Sequence, residues 1–260
     1  MGNIIKSQFY QLRKHRLIFI LAVGITAVLT AVAVLNDVWN LSLTTTITGS
    51  NYFAGSMHMS ALLSSMFISV AVAMICGSDF PDKTTNYELM SGHLRRDVYL
   101  GRAVTAYIVT LIGWFIISFT PVITMTVING WGDDISIADA AFRTLLMLFP
   151  VTRMICEFTM LTFLVKNPYV TMGGGYIFIM VSGMIAETIP DGFAFLSISN
   201  LVKVTIVDAW VTYGLHDGGN FTYDPYLPAD VIVQTIAVSV IIGAAALYLG
   251  YIFFKNDDMD

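Results

Sequence analysis

Apolar residues in this chain come in long blocks separated by short polar breaks. The block at 17–36 opens Leu-Ile-Phe-Ile-Leu-Ala-Val-Gly and contains no charge. A bilayer core of roughly 30 Å is crossed by about 20 helical residues at about 1.5 Å each. Six segments reach that length: 17–36, 57–75, 99–127, 138–165, 169–189 and 231–254. The third and fourth exceed it, which predicts tilt, kinking or extension beyond the bilayer. Pro121 and Pro150 are their expected kink points.

The first sixteen residues follow a different pattern. Ile5, Phe9 and Leu12 recur at i, i+4 and i+7, with Lys6, Arg13 and Lys14 mostly around the other side. This predicts an amphipathic helix at 1–16 lying on the membrane surface; a basic tail without structure is the alternative. The apolar run that follows is long and ends in no clean small-residue cleavage site, so it reads as a span, not a cleaved signal peptide.

Composition strengthens this reading. Of 260 residues, 56% are hydrophobic and 12% charged, against about 25% charged in an ordinary soluble domain. So few charges cannot cover a soluble globule, and so much apolar surface excludes a disordered chain. The expected fold is an all-α integral membrane protein, one transmembrane domain over 1–260 with six transmembrane helices.

Charge placement supplies the orientation. Lys6, Arg13, Lys14 and Arg16 precede the first span, and Lys83, Arg95, Arg96 and Arg102 lie between the second and third. Lys166 and Lys255 complete ten of the 13 basic residues on one side, while Lys203 falls on the other. The opposite loops carry Asp37, Asp133, Asp134, Asp191, Asp208, Asp217 and Asp224. By the positive-inside rule both termini are expected in the cytoplasm, for a multi-pass protein of the cell membrane. The net charge of −5 gives no basic surplus for nucleic acid.

The loop Gly77–Arg102 reads GSDFPDKTTNYELMSGHLRRDVYLGR and holds the most information. Thr85 and Glu88 have capping-box spacing, which predicts a helix start, and Gly92 is placed to end it. Tyr87, Met90 and Leu94 form an apolar stripe, and Asp97 is the expected cap of the third span. A one-striped helix outside the bilayer needs a surface to cover it, either a partner or this chain's own helix ends.

With its basic amphipathic start, two spans, acidic residue, Thr-Thr pair, short helix and Arg-Arg pair, the chain resembles the permease subunits of type-2 ABC exporters. It is most similar to the permeases of bacteriocin-immunity and antimicrobial-peptide exporters. Phe80, Asp82, Thr84, Thr85, Leu89, Arg95, Arg96 and Arg102 occupy the family's loop positions; Lys83 stands where glycine is common. The resemblance implies that 82–97 is a coupling loop whose helix docks on an ATP-binding subunit through Thr85, Tyr87, Glu88, Leu89, Met90, Leu94, Arg95 and Arg96. It also implies two ATP-binding subunits that hold the ATP and Mg, a second permease subunit identical or related to this one, and surrounding membrane lipids. The expected activity is export of a peptide, lipid-like or other amphipathic substrate. No G-x-x-x-x-G-K-[ST] occurs, as expected of a chain whose motor is a separate polypeptide, although secondary transporters lack that motif too.

Several intramembrane residues stand out. Arg153 and Glu157 are four apart on one helical face and are expected to pair. They read as a polar contact on the pathway or dimer interface, or as a structural ion pair. Arg143 is expected to snorkel from the outer end. Glu187 fits an extracellular gate or a solvated rim charge equally well. Gly173, Gly174 and Gly175 allow close helix approach or bending. Cys76 and Cys156 lie in apolar runs and read as buried thiols. Residues 190–230 are expected to hold an outer re-entrant or interfacial helix, with a seventh span as the alternative, and Asn220-Phe221-Thr222 matches a glycosylation pattern expected by chance.

Two other function classes remain. A secondary transporter or channel would show inverted repeats and several midplane ionisable groups, and only one clear midplane pair occurs. A membrane enzyme would need clustered His, Asp or Glu. His15, His58, His93 and His216 are scattered, so no catalytic, metal or cofactor site is expected in this chain.

Overall fold

The computed structural model describes residues 2–12, 16–41, 46–81, 84–133, 135–175, 177, 181 and 229–256. They form α1 (Gly2–Leu12), α2 (Arg16–Leu41), α3 (Gly49–Gly77), α4 (Thr84–Met90), α5 (Arg95–Asn129), α6 (Ile137–Val165) and α7 (Ala229–Lys255). Residues 168–175 are also helical. The fold is all-helical. Among the described residues, four helices are long and apolar enough to cross a membrane: Arg16–Trp39, Arg95–Asn129, Ile137–Val165 and Ile232–Lys255. These are the first, third, fourth and sixth expected spans.

The second expected span, 57–75, lies inside α3. That helix has 29 residues; side chains 54–62 lie outside the described residues, and Leu63–Gly77 is the apolar stretch that follows them. Most of 169–189 lies outside the described residues, as do Glu187, the 190–230 segment and Asn220–Thr222.

Helix bounds follow from local chemistry. Thr48 caps α3 by accepting from the Asn51 N–H at 3.3 Å. The first turn is completed by Gly49 N–H to the Gly130 carbonyl at 3.0 Å and Ser50 N–H to that of Trp131 at 2.7 Å. Helical N-termini leave such donors free, so these bonds carry α3 several residues beyond its apolar stretch. Asp37, expected as an outer loop charge, is buried and accepts from Ile47 N–H at 2.9 Å. Ser136 caps α6 through Asp139 N–H at 3.1 Å.

One expectation about α5 is corrected, and its expected excess length is present. It begins at Arg95 with Leu94 as the N-cap residue and no side-chain cap, so Asp97 lies in its first turn and is not the cap. Its 35 residues span about 52 Å, far more than a bilayer core, so α5 extends beyond it.

Helix α5 turns small and polar residues inward and aliphatic ones outward. The buried stripe of α5 includes Thr105, Thr110, Gly113 and Ser118 alongside Ala106 and Trp114. Its outer face shows Ile112, Ile116, Ile123 and Val127. Small and polar residues between helices with aliphatic ones outside is the arrangement suited to lipid. At Gly113 a Cβ would overlap the Phe67 ring of α3, so the glycine sets the α3–α5 approach. Gly175 likewise faces Phe158 of α6, whereas Gly173 and Gly174 meet nothing among the described residues. One of the three glycines thus serves close packing here.

Helix α5 runs antiparallel to α3, with Arg102 near Cys76, Gly113 near Phe67 and Gly49 near Thr126. Helix α7 runs parallel to α6, with Gly243 near Arg153 and Gly250 near Met160. An aromatic cluster joins one end of this bundle: Phe80, Tyr99, Phe163, Tyr251 and Phe254, with Tyr99 and Phe163 centroids 4.7 Å apart. Ile4 of α1 packs where a Cβ on Gly101 would be. The N-terminal helix and the last turn of α7 therefore lie at the same end.

Candidate functional site

At that end, α4 sits in the connection between α3 and α5. It has seven residues, too few to hold helical form alone in water. Gly92 follows its end with φ +92° and donates its N–H to the Leu89 carbonyl at 3.1 Å. Only glycine adopts that conformation without steric cost.

One side chain fastens α4 to the bundle. Arg102 is fully buried, and its Nη2 donates to Asp79 Oδ2 at 2.8 Å and to Glu88 Oε2 at 2.9 Å. Its Nη1 reaches the Cys76 carbonyl at 3.4 Å, and the guanidinium carbon lies 5.9 Å from the Phe80 ring centre. A buried guanidinium is tolerated when carboxylates and carbonyls surround it. The C-terminal end of α3, the start of α5 and the middle of α4 thus meet on one cation.

This corrects the expected capping box. Thr84 and Thr85 both lie within the helix, and the Glu88 carboxylate turns to Arg102. A charge-assisted bond to a buried guanidinium outweighs a bond to a solvated backbone N–H. The Thr85 side chain lies outside the described residues, as do Asp82 and Lys83.

The apolar side chains of this segment divide in two. Leu89 packs against the hydrophobic core. Tyr87, Met90 and Leu94 point outward, with Met90 83% exposed. This chain's described helix ends do not cover them. Arg96 is exposed in the first turn of α5. Arg95 donates from Nη1 to the carbonyls of Phe254 at 3.1 Å and Lys255 at 2.9 Å, closing the end of α7. Cations are favoured at helix C-termini.

The intramembrane charges sit elsewhere. Arg153 and Glu157 are both on α6, Nε to Oε1 3.5 Å, the arginine buried and the glutamate side chain 23% exposed. Arg143, expected to snorkel, is instead buried among the helices, since α6 turns that face inward. Cys76 and Cys156 are free thiols, both buried.

The sequence singled out the α4 stripe and the Arg95–Arg96 pair but gave Arg102 no partner, and Asp79 no role. Their signal was present: one arginine and two acids close to an otherwise apolar helix end. The spacing of 14 and 23 positions crosses two turns of the chain, so no helical periodicity links them.

No protein-family model, no curated protein and no solved structure matches the chain.

Proposed function

We propose that this chain is the membrane-spanning permease subunit of an ATP-driven ABC exporter. The observation that carries the reading is α4: a short helix anchored by Glu88 on one side and bare at Tyr87 and Met90 on the other, with Leu94 exposed just beyond it. An apolar stripe on an anchored helix outside the long helices is suited to a protein groove. The occupant is an ATP-binding subunit, one per permease, which binds ATP and Mg and hydrolyses the nucleotide.

In this reading the chain has six spans, with Met57–Ile75 and Tyr169–Ile189 added to the four long apolar helices. Helices α6 and α7 end at the same end of the bundle, so the chain returns between them, and helical residues 168–175 begin that return. The end that carries α1, α4 and Lys255 is cytoplasmic, consistent with its ten basic residues. Two such permeases, identical or related, enclose the path in the cell membrane. The cargo is a peptide, lipid-like or other amphipathic molecule moved outward.

The Arg153–Glu157 pair is the one observation that favours a secondary transporter or channel, where intramembrane ion pairs mark pathways. Detergent purification separates the two readings. Recovery of an ATP-binding subunit, recognised by its P-loop peptide, supports the exporter. Repeated recovery of the permease without any such subunit supports the second class.

A further inference from the structure

We propose that Arg102 is the positioning residue of α4, a latch that fixes the helix to α3 and α5 and passes its displacement to both. The two carboxylates on Nη2 come from different segments. Asp79 follows α3 and Glu88 belongs to α4, while the guanidinium itself stands on α5. Phe80 lies beside the guanidinium and also packs against Phe163 and Phe254. A movement of α4 is therefore delivered to α3 and α5 together.

The two carboxylates are not equivalent. Glu88 holds α4, whereas Asp79 and the Cys76 carbonyl hold Arg102 to α3. Losing Glu88 leaves the arginine with a carboxylate and a carbonyl, so the bundle keeps its buried charge compensated. Among the described residues, α4 is otherwise tied to the bundle by the packing of Leu89. Glu88→Gln should free α4 and spare the helices behind it. Glu88→Asp, one methylene shorter, should restore the latch in part.

The role in transmission rests on the exporter reading; the latch does not. Spin labels at Met90 and Asn256 in the purified full chain report the distance from α4 to the end of α7. The expected result is a narrow distribution in the parent. Glu88→Gln broadens it with an unchanged melting temperature, Glu88→Asp narrows it again, and Arg96→Gln leaves it unchanged. Arg102→Lys should also broaden it, because a single ammonium nitrogen does not reproduce the two nitrogens with which Arg102 meets the carboxylates and the Cys76 carbonyl.

A Glu88→Gln distribution as narrow as the parent's overturns the latch, whether or not an ATP-binding subunit is ever recovered. A drop in melting temperature with α4 still in place also overturns it, since that is a purely structural bond. If the latch stands but no ATP-binding subunit is found, the exporter reading fails alone.

Discussion

Arg95 and Phe254 are 159 positions apart in the chain, yet the Arg95 guanidinium donates to the Phe254 carbonyl at 3.1 Å. The same nitrogen reaches the Lys255 carbonyl at 2.9 Å. The start of one long helix is thereby bonded to the end of another. The contact joins α5 to α7 beside the aromatic cluster, where the Tyr99 hydroxyl also donates to the Leu247 carbonyl at 2.8 Å.

Arg95→Ala should cost about 1–2 kcal/mol, because carbonyls at a helix C-terminus lose a charged donor. Arg96→Ala, at an exposed position, should cost less than about 0.5 kcal/mol. Thermal unfolding in detergent, followed by far-UV circular dichroism, distinguishes them. Equal losses would mean that the Arg95 bonds do not hold α7.

Gly113 sets how closely α5 lies on α3. Gly113→Ala should destabilise by about 1–3 kcal/mol, since the methyl group meets the Phe67 ring in a packed interface. Phe67→Leu in the same chain should recover part of that loss. Gly24→Ala, where nothing lies within 4 Å, should be neutral or slightly stabilising. A double variant no more stable than Gly113→Ala would show that the ring is not what limits the approach.

The long helices were legible because a bilayer crossing leaves a length signature that needs no tertiary information. Four of the six expected apolar blocks appear as helices of sufficient length at nearly the expected bounds. The helix at Thr84–Met90 was legible from local punctuation, above all Gly92. What escaped is non-local. Helical spacing, the relation a sequence displays, pairs Glu88 with Thr85, whereas its partner is Arg102, set by how α3 folds back on α5. Sequence places Asp37 among the solvated loop acids, but it accepts from Ile47 N–H, in the stretch before α3 where Asn129 also donates to the Ile47 carbonyl. Arg143 was read as snorkelling because depth along a helix is visible in sequence, but the direction a face points is not.

Arg153 and Glu157 are neighbours on α6, and a double-mutant cycle measures their dependence on each other. Each of Arg153→Met and Glu157→Gln should lower the melting temperature, and the pair should fall short of the sum by about 0.5–3 kcal/mol. Strict additivity would show that the 3.5 Å contact contributes nothing to stability.

Cys76 and Cys156 are buried free thiols. In the folded protein neither should react with a membrane-permeant maleimide over the time in which a denatured sample reacts fully. Mass spectrometry of the labelled peptides reads this directly. Rapid labelling of Cys76 in the native state would place the end of α3 in contact with water and contradict the packing around Arg102.

In the exporter reading α4 offers Tyr87 and Met90, with Leu94 beside them, to an ATP-binding subunit, and Met90 is the residue to change because it is 83% exposed. Met90→Asp removes an apolar contact without touching the packing of this chain, so the melting temperature should not change. The decisive measurement is the ratio of ATP-binding subunit to permease recovered from detergent, parent against Met90→Asp. One ATP-binding subunit per permease is expected for the parent and a loss of at least tenfold in the variant, the equivalent of about 1.4 kcal/mol or more. An equal ratio in both, or no ATP-binding subunit with the parent, would contradict it.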